Sequence, residues 1–179
     1  MNGIIPLEIR KFVETGLGKQ AWPEIVRLAE VPPRVYVPVV DYPDQEVMAL
    51  LSAVSARTGD SIPVILEALG ELMVPDLINM VSTLIRPGWK TLDVIANTEE
   101  AIHEVLRQAG TNTNPPELKC RWSGSHEVVV TYISSRKMCP LAKGIIKGIA
   151  RHYGEQATIT EPTCMLRGDA ACQLHISVT

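Results

Sequence analysis

Aromatic residues are scarce in this chain: phenylalanine, tryptophan and tyrosine together make up 4% of 179 residues, and Phe12 is the single phenylalanine. Any core must therefore be packed mainly by aliphatic side chains. An excess of positive charge is also missing. Lysine and arginine number 17 against 20 acidic residues, a net charge of -3, so there is no general pull towards nucleic acid, whose phosphates select clustered cations. No uninterrupted apolar run approaches the roughly 18 residues of a membrane span. The N-terminus lacks a basic stretch followed by an apolar run and a small-residue cleavage site, and the expected location is the cytoplasm. Thiols there are usually reduced. The four cysteines are accordingly read as buried residues, metal ligands or redox sensors rather than as a disulfide framework.

What is present suffices for a globular protein. Hydrophobic residues make up 46% and charged residues 21%, and the length allows a core without metal or disulfide support. Ile5, Ile9, Phe12 and Val13 recur at helical spacing and predict a helix over about 4–16. A second follows over 20–30 and stops at Val31-Pro32-Pro33. A third, starting near Pro43, carries Val47, Leu50, Leu51 and Val54 and stops at Gly59. A fourth, over about 62–73, is apolar over much of its circumference and should be buried. Pro75 is expected to kink or end it, with a further turn or two over 76–84. A longer helical run over 91–109 ends at Gly110.

Beyond the loop Thr111-Asn112-Thr113-Asn114-Pro115-Pro116 the period becomes alternating. Leu118, Cys120 and Trp122, the turn Ser123-Gly124-Ser125 and the run 128–133 form a hairpin. A helix over 140–153 then precedes two strands, 157–161 and 172–178. The pattern predicts an α+β fold in a single domain, 1–179. A helical N-terminal lobe, approximately 1–62, joins a lobe over 63–179 with helices and a four-stranded antiparallel sheet.

Two stretches carry chemistry. In Tyr132-Ile133-Ser134-Ser135-Arg136 an extended chain would place Tyr132, Ser134 and Arg136 on one face. Phenol, hydroxyl and guanidinium would then form a fork of donors suited to the paired carboxylates of a diacid. Spacing alone also fits a strand end whose polar residues enter solvent. Upstream, His103 lies at the edge of a stripe formed by Leu92, Ile95, Ile102, Leu106 and Ala109, with Glu99, Glu100, Glu104 and Arg107 expected to stay largely solvated. Its neutral imidazole could bind iron, or it could be a satisfied histidine at a core boundary.

A helical histidine followed by Tyr132-x-Ser134-x-Arg136, in a chain opening Met1-Asn2-Gly3-Ile4-Ile5, resembles the H-NOX family. These are haem nitric oxide/oxygen-binding domains, relatives of the sensor region of soluble guanylate cyclase, and the resemblance covers essentially the whole chain. It implies haem b, with His103 as the proximal ligand to the iron, and Tyr132, Ser134 and Arg136 on the propionates. Pro115, Ile5 and Ile145 would pack on the macrocycle. Ile9, Met73, Leu77 and Leu141 would form the distal side, where oxygen-binding relatives place a tyrosine at the position of Leu141. Bound dioxygen carries partial negative charge and needs a donor, so this apolar side suits nitric oxide or carbon monoxide and should hold dioxygen poorly. The function implied is gas sensing without catalysis, passed by conformational change to a partner, commonly a histidine kinase or a cyclic-dinucleotide enzyme.

Cys139, Cys164 and Cys172 fall where some bacterial members of the family bind zinc through cysteines and a histidine. Zinc takes four ligands, or three and a water. Glu161 offers a carboxylate, whereas His175 stands an odd number of residues from Cys172 and so on the opposite strand face. A structural zinc, a thiol redox pair and plain buried cysteines all fit. The rival function is therefore a haem-free module of the same fold, sensing redox state through zinc or thiols. Lys143, Lys147 and Arg151 recur every four residues, giving either a solvated basic line or a docking surface for an acidic patch.

Overall fold

The computed structural model describes residues 1–38, 40–104 and 115–179. Helices α1 (Ile4–Leu17), α2 (Ala21–Leu28) and α3 (Asp44–Thr58) follow the predicted apolar periodicity. Gly59 closes α3 in the left-handed conformation, at φ 82°, with its N–H on the Ser55 carbonyl, which is the stop that glycine allows at no steric cost. Val13, Ile25, Val47, Leu50, Leu51 and Val54 are fully buried in the core these helices share. Three of the few aromatics, Trp22, Tyr36 and Tyr42, meet edge-on in the same core.

Helix α4 (Ile62–Met80) does not end at Pro75, one of the two outcomes expected there, but continues through it. Proline removes one helical hydrogen bond and clashes with the carbonyl four residues back, at about 3 kcal/mol. Packing offsets that cost. Along α6 (Cys139–His152) the two backbones come into contact through glycine: a Cβ added to Gly70 would overlap the Leu141 carbonyl, and one added to Gly144 would overlap that of Glu67. Helix α4 also joins two cores, with Ile65, Leu66, Leu69 and Met73 in the first and Val74 in the second.

The face of α6 expected to be basic is neutralised. Lys143 pairs with Glu161, Lys147 with Glu67 and Arg151 with Glu71, so the repeat of four matches acidic partners within the fold rather than an open cationic surface.

Helix α5 (Thr91–Thr98) continues into a single π-helical turn, Glu99–His103, closed by the Glu104 N–H on the Glu99 carbonyl. The rest of the expected run, with Leu106, Arg107, Ala109 and Gly110, and the loop 111–114 lie outside the described residues. Strands β1 (Glu117–Trp122), β2 (Glu127–Ile133), β3 (Ala157–Thr163) and β4 (Cys172–Val178) form one antiparallel sheet in the order β1-β2-β4-β3. Val128 pairs with Ile176, Val130 with Leu174 and Tyr132 with Cys172. The first two pairs pack with Val94, Ile95, Ile146 and Ile149 into the second core, while Tyr132 and Cys172 enter a small cluster of their own. The fold is α+β, as the patterning predicts. Among the described residues no helix is long and apolar enough to cross a membrane.

Candidate functional site

The donor fork is bent, not extended. β2 ends at Ile133, which pairs with Glu117, the first residue of β1; with no partner strand beyond, Ser134 to Lys137 close a turn through the Lys137 N–H on the Ser134 carbonyl, at 3.1 Å. Lys137 takes φ 50°. Tyr132 therefore lies buried below, while Ser134 and Arg136 face the mouth of a cavity. Ser134 stands between them: its side chain neighbours the Tyr132 phenol, and its Oγ accepts the Arg136 N–H at 3.3 Å. Burial pushes the Tyr132 phenol up, and the bonds from Ser134 and the Met138 N–H act the other way.

Arg136 already holds a carboxylate. Its Nε donates to Asp44 Oδ2 on α3 at 2.7 Å, and the other Asp44 oxygen pairs with the N-terminal ammonium at 2.9 Å. The Arg136 hydrogen bond, against some burial, keeps the Asp44 carboxyl below its usual range. The same guanidinium carries further N–H donors in a planar fork.

His103 is part-buried, its side chain 16% exposed, and its Nδ1 is 3.1 Å from Glu99 Oε2. A carboxylate only accepts, so the imidazole donates from Nδ1; in its neutral form the lone pair then lies on Nε2. That same Glu99 oxygen accepts the Leu118 N–H of β1 at 3.2 Å. The cavity, about 280 Å³, is lined by Glu99, Pro115, Glu117, Ile133, Ser134, Ser135 and Arg136. Pro115 and two members of the fork thus meet the carboxylate that holds His103.

The predicted apolar positions also come together. Ile9, Met73 and Leu141 are buried in the first core, and Ile5, Leu77 and Ile145 pack against it. Ile145 touches the second core as well. None of the six carries a side-chain N–H or O–H donor.

Sequence reasoning missed two residues here. Glu99 was expected in solvent yet is partly buried and engaged; its spacing of four from His103 was the available signal. Asp44 lies 92 residues from Arg136, and no local pattern announces that pairing.

The cysteines form a second constellation. Sγ of Cys164 lies 3.7 Å from that of Cys139 and 3.9 Å from that of Cys172. These thiols and the Glu161 carboxylate fall within 4.8 Å of one another. Glu161 Oε1 is buried with no hydrogen-bond partner, while Oε2 takes Lys143 at 3.1 Å and Arg167 at 3.7 Å. The Met165 N–H points at Cys172 Sγ, at 3.2 Å. Burial, reinforced by neighbouring thiols, pushes the Cys139 thiol up, and burial does the same to Cys172. His175 pairs instead with Glu127, at 3.6 Å, on the other face of β4 as its spacing predicts. Cys120 stays apart on β1, pushed up to about 11 by burial and then by Glu99 and Glu100.

A part-buried imidazole, a turn whose arginine holds a carboxylate and an apolar cluster are thus the features the fold assembles. The family model described as Haem-NO-binding matches residues 2–161, and the chain belongs to that family, the H-NOX domains, which are haem-based gas sensors rather than enzymes. Its fold is similar to that of the S. oneidensis H-NOX protein in the Fe(II)NO state, at TM-score 0.92 and 23% identity, covering 100% of this chain and 99% of that one. The unliganded Fe(II) H-NOX protein from K. algicida gives TM-score 0.87 and 22% identity, covering 100% and 97%. An oxygen-binding H-NOX domain related to soluble guanylate cyclases gives TM-score 0.83 and 21% identity, covering 100% and 95%. No curated protein matches the chain in sequence.

Proposed function

We propose that this chain is a nitric oxide sensor that holds haem b through His103 and signals by a change in shape. When bound, haem would supply a ferrous iron able to take up a diatomic gas, with His103 as the residue that would hold the iron. The observation that carries this reading is the shared cavity: Ser134, Arg136 and Pro115 line it together with Glu99, whose oxygen holds His103 Nδ1. His103 would ligate through Nε2. Ser134 and Arg136 would bind propionate oxygens, Tyr132 would support Ser134 from below, and Pro115, Ile5 and Ile145 would pack on the macrocycle. Ile9, Met73, Leu77 and Leu141 would exclude water from the gas side and offer bound dioxygen no hydrogen bond. Carbon monoxide fits the same side. The 1–62 lobe would contribute Ile9 to the distal side and the 63–179 lobe Met73, Leu77, Leu141 and the histidine, with a histidine kinase or cyclic-dinucleotide enzyme as the class of partner and the cytoplasm as the setting.

Haem titration of the purified protein tests this. The unaltered chain should develop a Soret band, His103→Gly should lose it or need added imidazole, and Arg136→Ala should weaken haem binding by roughly 1–3 kcal/mol, the scale of a lost charge-assisted bond. Equal haem affinity and equal ferrous spectra in all three would contradict the assignment.

A second reading concerns the thiols and is favoured by the orphaned Glu161 oxygen among them. Cys139, Cys164, Cys172 and Glu161 would hold a structural zinc, with Lys143 and Arg167 offsetting the charge of the anionic ligand set. Metal analysis of protein purified without chelator should give close to one zinc per chain, and Cys164→Ser should lose it together with several degrees of melting temperature. Metal-free protein of unchanged stability would leave the thiols to redox chemistry or plain packing, and absence of a Soret band would support the rival, haem-free sensing module.

A further inference from the structure

His103 is presented by a π-helical turn rather than by a regular helix, and such turns recur at functional sites because they re-aim side chains. Here the turn begins at Glu99 and ends at His103, and the two side chains meet at 3.1 Å. The Glu99 oxygen in that contact also takes the Leu118 N–H at 3.2 Å. β1 is an edge strand, so this amide points away from the ladder and would otherwise lack a protein partner. One carboxylate oxygen therefore joins the imidazole to the sheet.

We infer that Glu99 is a positioning residue for His103, fixing the tautomer that ligates through Nε2 and tying the histidine's position to the edge of β1. The inference rests on the reading of His103 as the iron ligand. A carboxylate on Nδ1–H orients an imidazole ring and raises its basicity at the other nitrogen, and such partners matter nearly as much as the ligand itself. The tie to β1 gives the arrangement a second consequence. A displacement of His103 moves an oxygen that also holds Leu118; Leu118 pairs with Tyr132 and packs on the cluster of Tyr132, Cys139, Cys164 and Cys172. The histidine is thus joined through Glu99 and Leu118 to the phenol beneath the donor fork and to the thiols.

The test uses the haem-loaded full chain, in the ferrous unliganded form, as the unaltered protein and as Glu99→Gln and Glu99→Ala. Glutamine keeps an acceptor without the charge; alanine removes both. The iron–histidine stretch in resonance Raman spectra should move to lower frequency in the glutamine variant and further in the alanine variant. Leu118 amide exchange, followed by NMR, should become roughly tenfold faster in Glu99→Ala, the scale of one lost hydrogen bond. Unchanged frequency and unchanged Leu118 protection in both variants would overturn the inference. If the alanine variant does not load haem, the glutamine variant, which has the same shape, decides by the same two readouts. An unaltered protein with no iron–histidine stretch would instead overturn the reading of His103 as ligand, and with it the claim about Nε2, leaving Leu118 exchange to decide the tie to β1.

Discussion

Glu8 shows how a single residue can set a pH limit on this fold. Its side chain, on α1, is 2% exposed and lies 3.8 Å from Lys11, and its Oε2 has no hydrogen-bond partner. Burial first, then the neighbouring Asp76 carboxyl, pushes its carboxyl from 4.5 up to about 7, against the pull of Lys11. A folded value above the unfolded one means that the native state binds the proton more tightly. The resulting stabilisation is complete below 4.5 and is lost as pH rises through about 7. Glu8→Gln cannot ionise, so the unaltered chain should lose roughly 1–3 kcal/mol relative to that variant between acid and mildly alkaline conditions. Urea titrations across that range give the difference directly, and a constant gap would show that folding leaves the Glu8 carboxyl unshifted. At this same scale the site was half legible in the sequence. Ser134 and Arg136 could be singled out by their spacing, His103 by its place at the edge of an apolar stripe and Pro115 only through the family resemblance; the structure sets Ser134, Arg136 and Pro115 around one cavity with Glu99. Asp44 could not be singled out, since its pairing with Arg136 exists only once α3 meets the turn after β2.

Among the elements, helices and strands with clear periods were legible almost to their ends, whereas their interruptions were not. Pro75 reads locally as a break, and only the partner surface of α6 explains why α4 continues. The strand carrying the fork stops at Ile133 because its neighbour begins at Glu117, a fact of register that alternation cannot reveal. The π-helical turn at His103 is not announced either, since five residues, Glu99–His103, are too few to set a period of their own. The contact of α4 with α6 yields a prediction against ordinary propensity. Glycine to alanine within a helix normally stabilises by about 0.5–1 kcal/mol. At Gly144 the added Cβ would meet the Glu67 carbonyl and the Gly70 Cα, both backbone atoms of α4, so Gly144→Ala should destabilise by roughly 1–3 kcal/mol through overpacking. A thermal melt decides between the two signs, and a raised midpoint would mean that the helices separate at little cost.

For the whole molecule, the composition already pointed to its division of labour. With few aromatics, the chain packs aliphatic side chains into two cores, and α4, α6 and Ile145 connect them. Ile9, Met73 and Leu141 belong to the first core, Leu77 packs against it, and Ile145 packs against both. On the proposed reading, ligand choice follows from what this apolar cluster lacks. Ile9, Met73, Leu77 and Leu141 present no donor, and a hydrogen bond to a charged acceptor is worth roughly 1.5–3 kcal/mol, or about one to two decades of affinity. The loss falls mainly on dioxygen, whose bound form carries the greater negative charge. The most direct test is the absorption spectrum of the haem-loaded, reduced protein, recorded under nitric oxide and separately on exposure to air. The account predicts a tight, saturable spectral change with nitric oxide, and in air either no ligand binding or slow oxidation of the iron. A stable, reversible oxygen spectrum in the unaltered chain would contradict it.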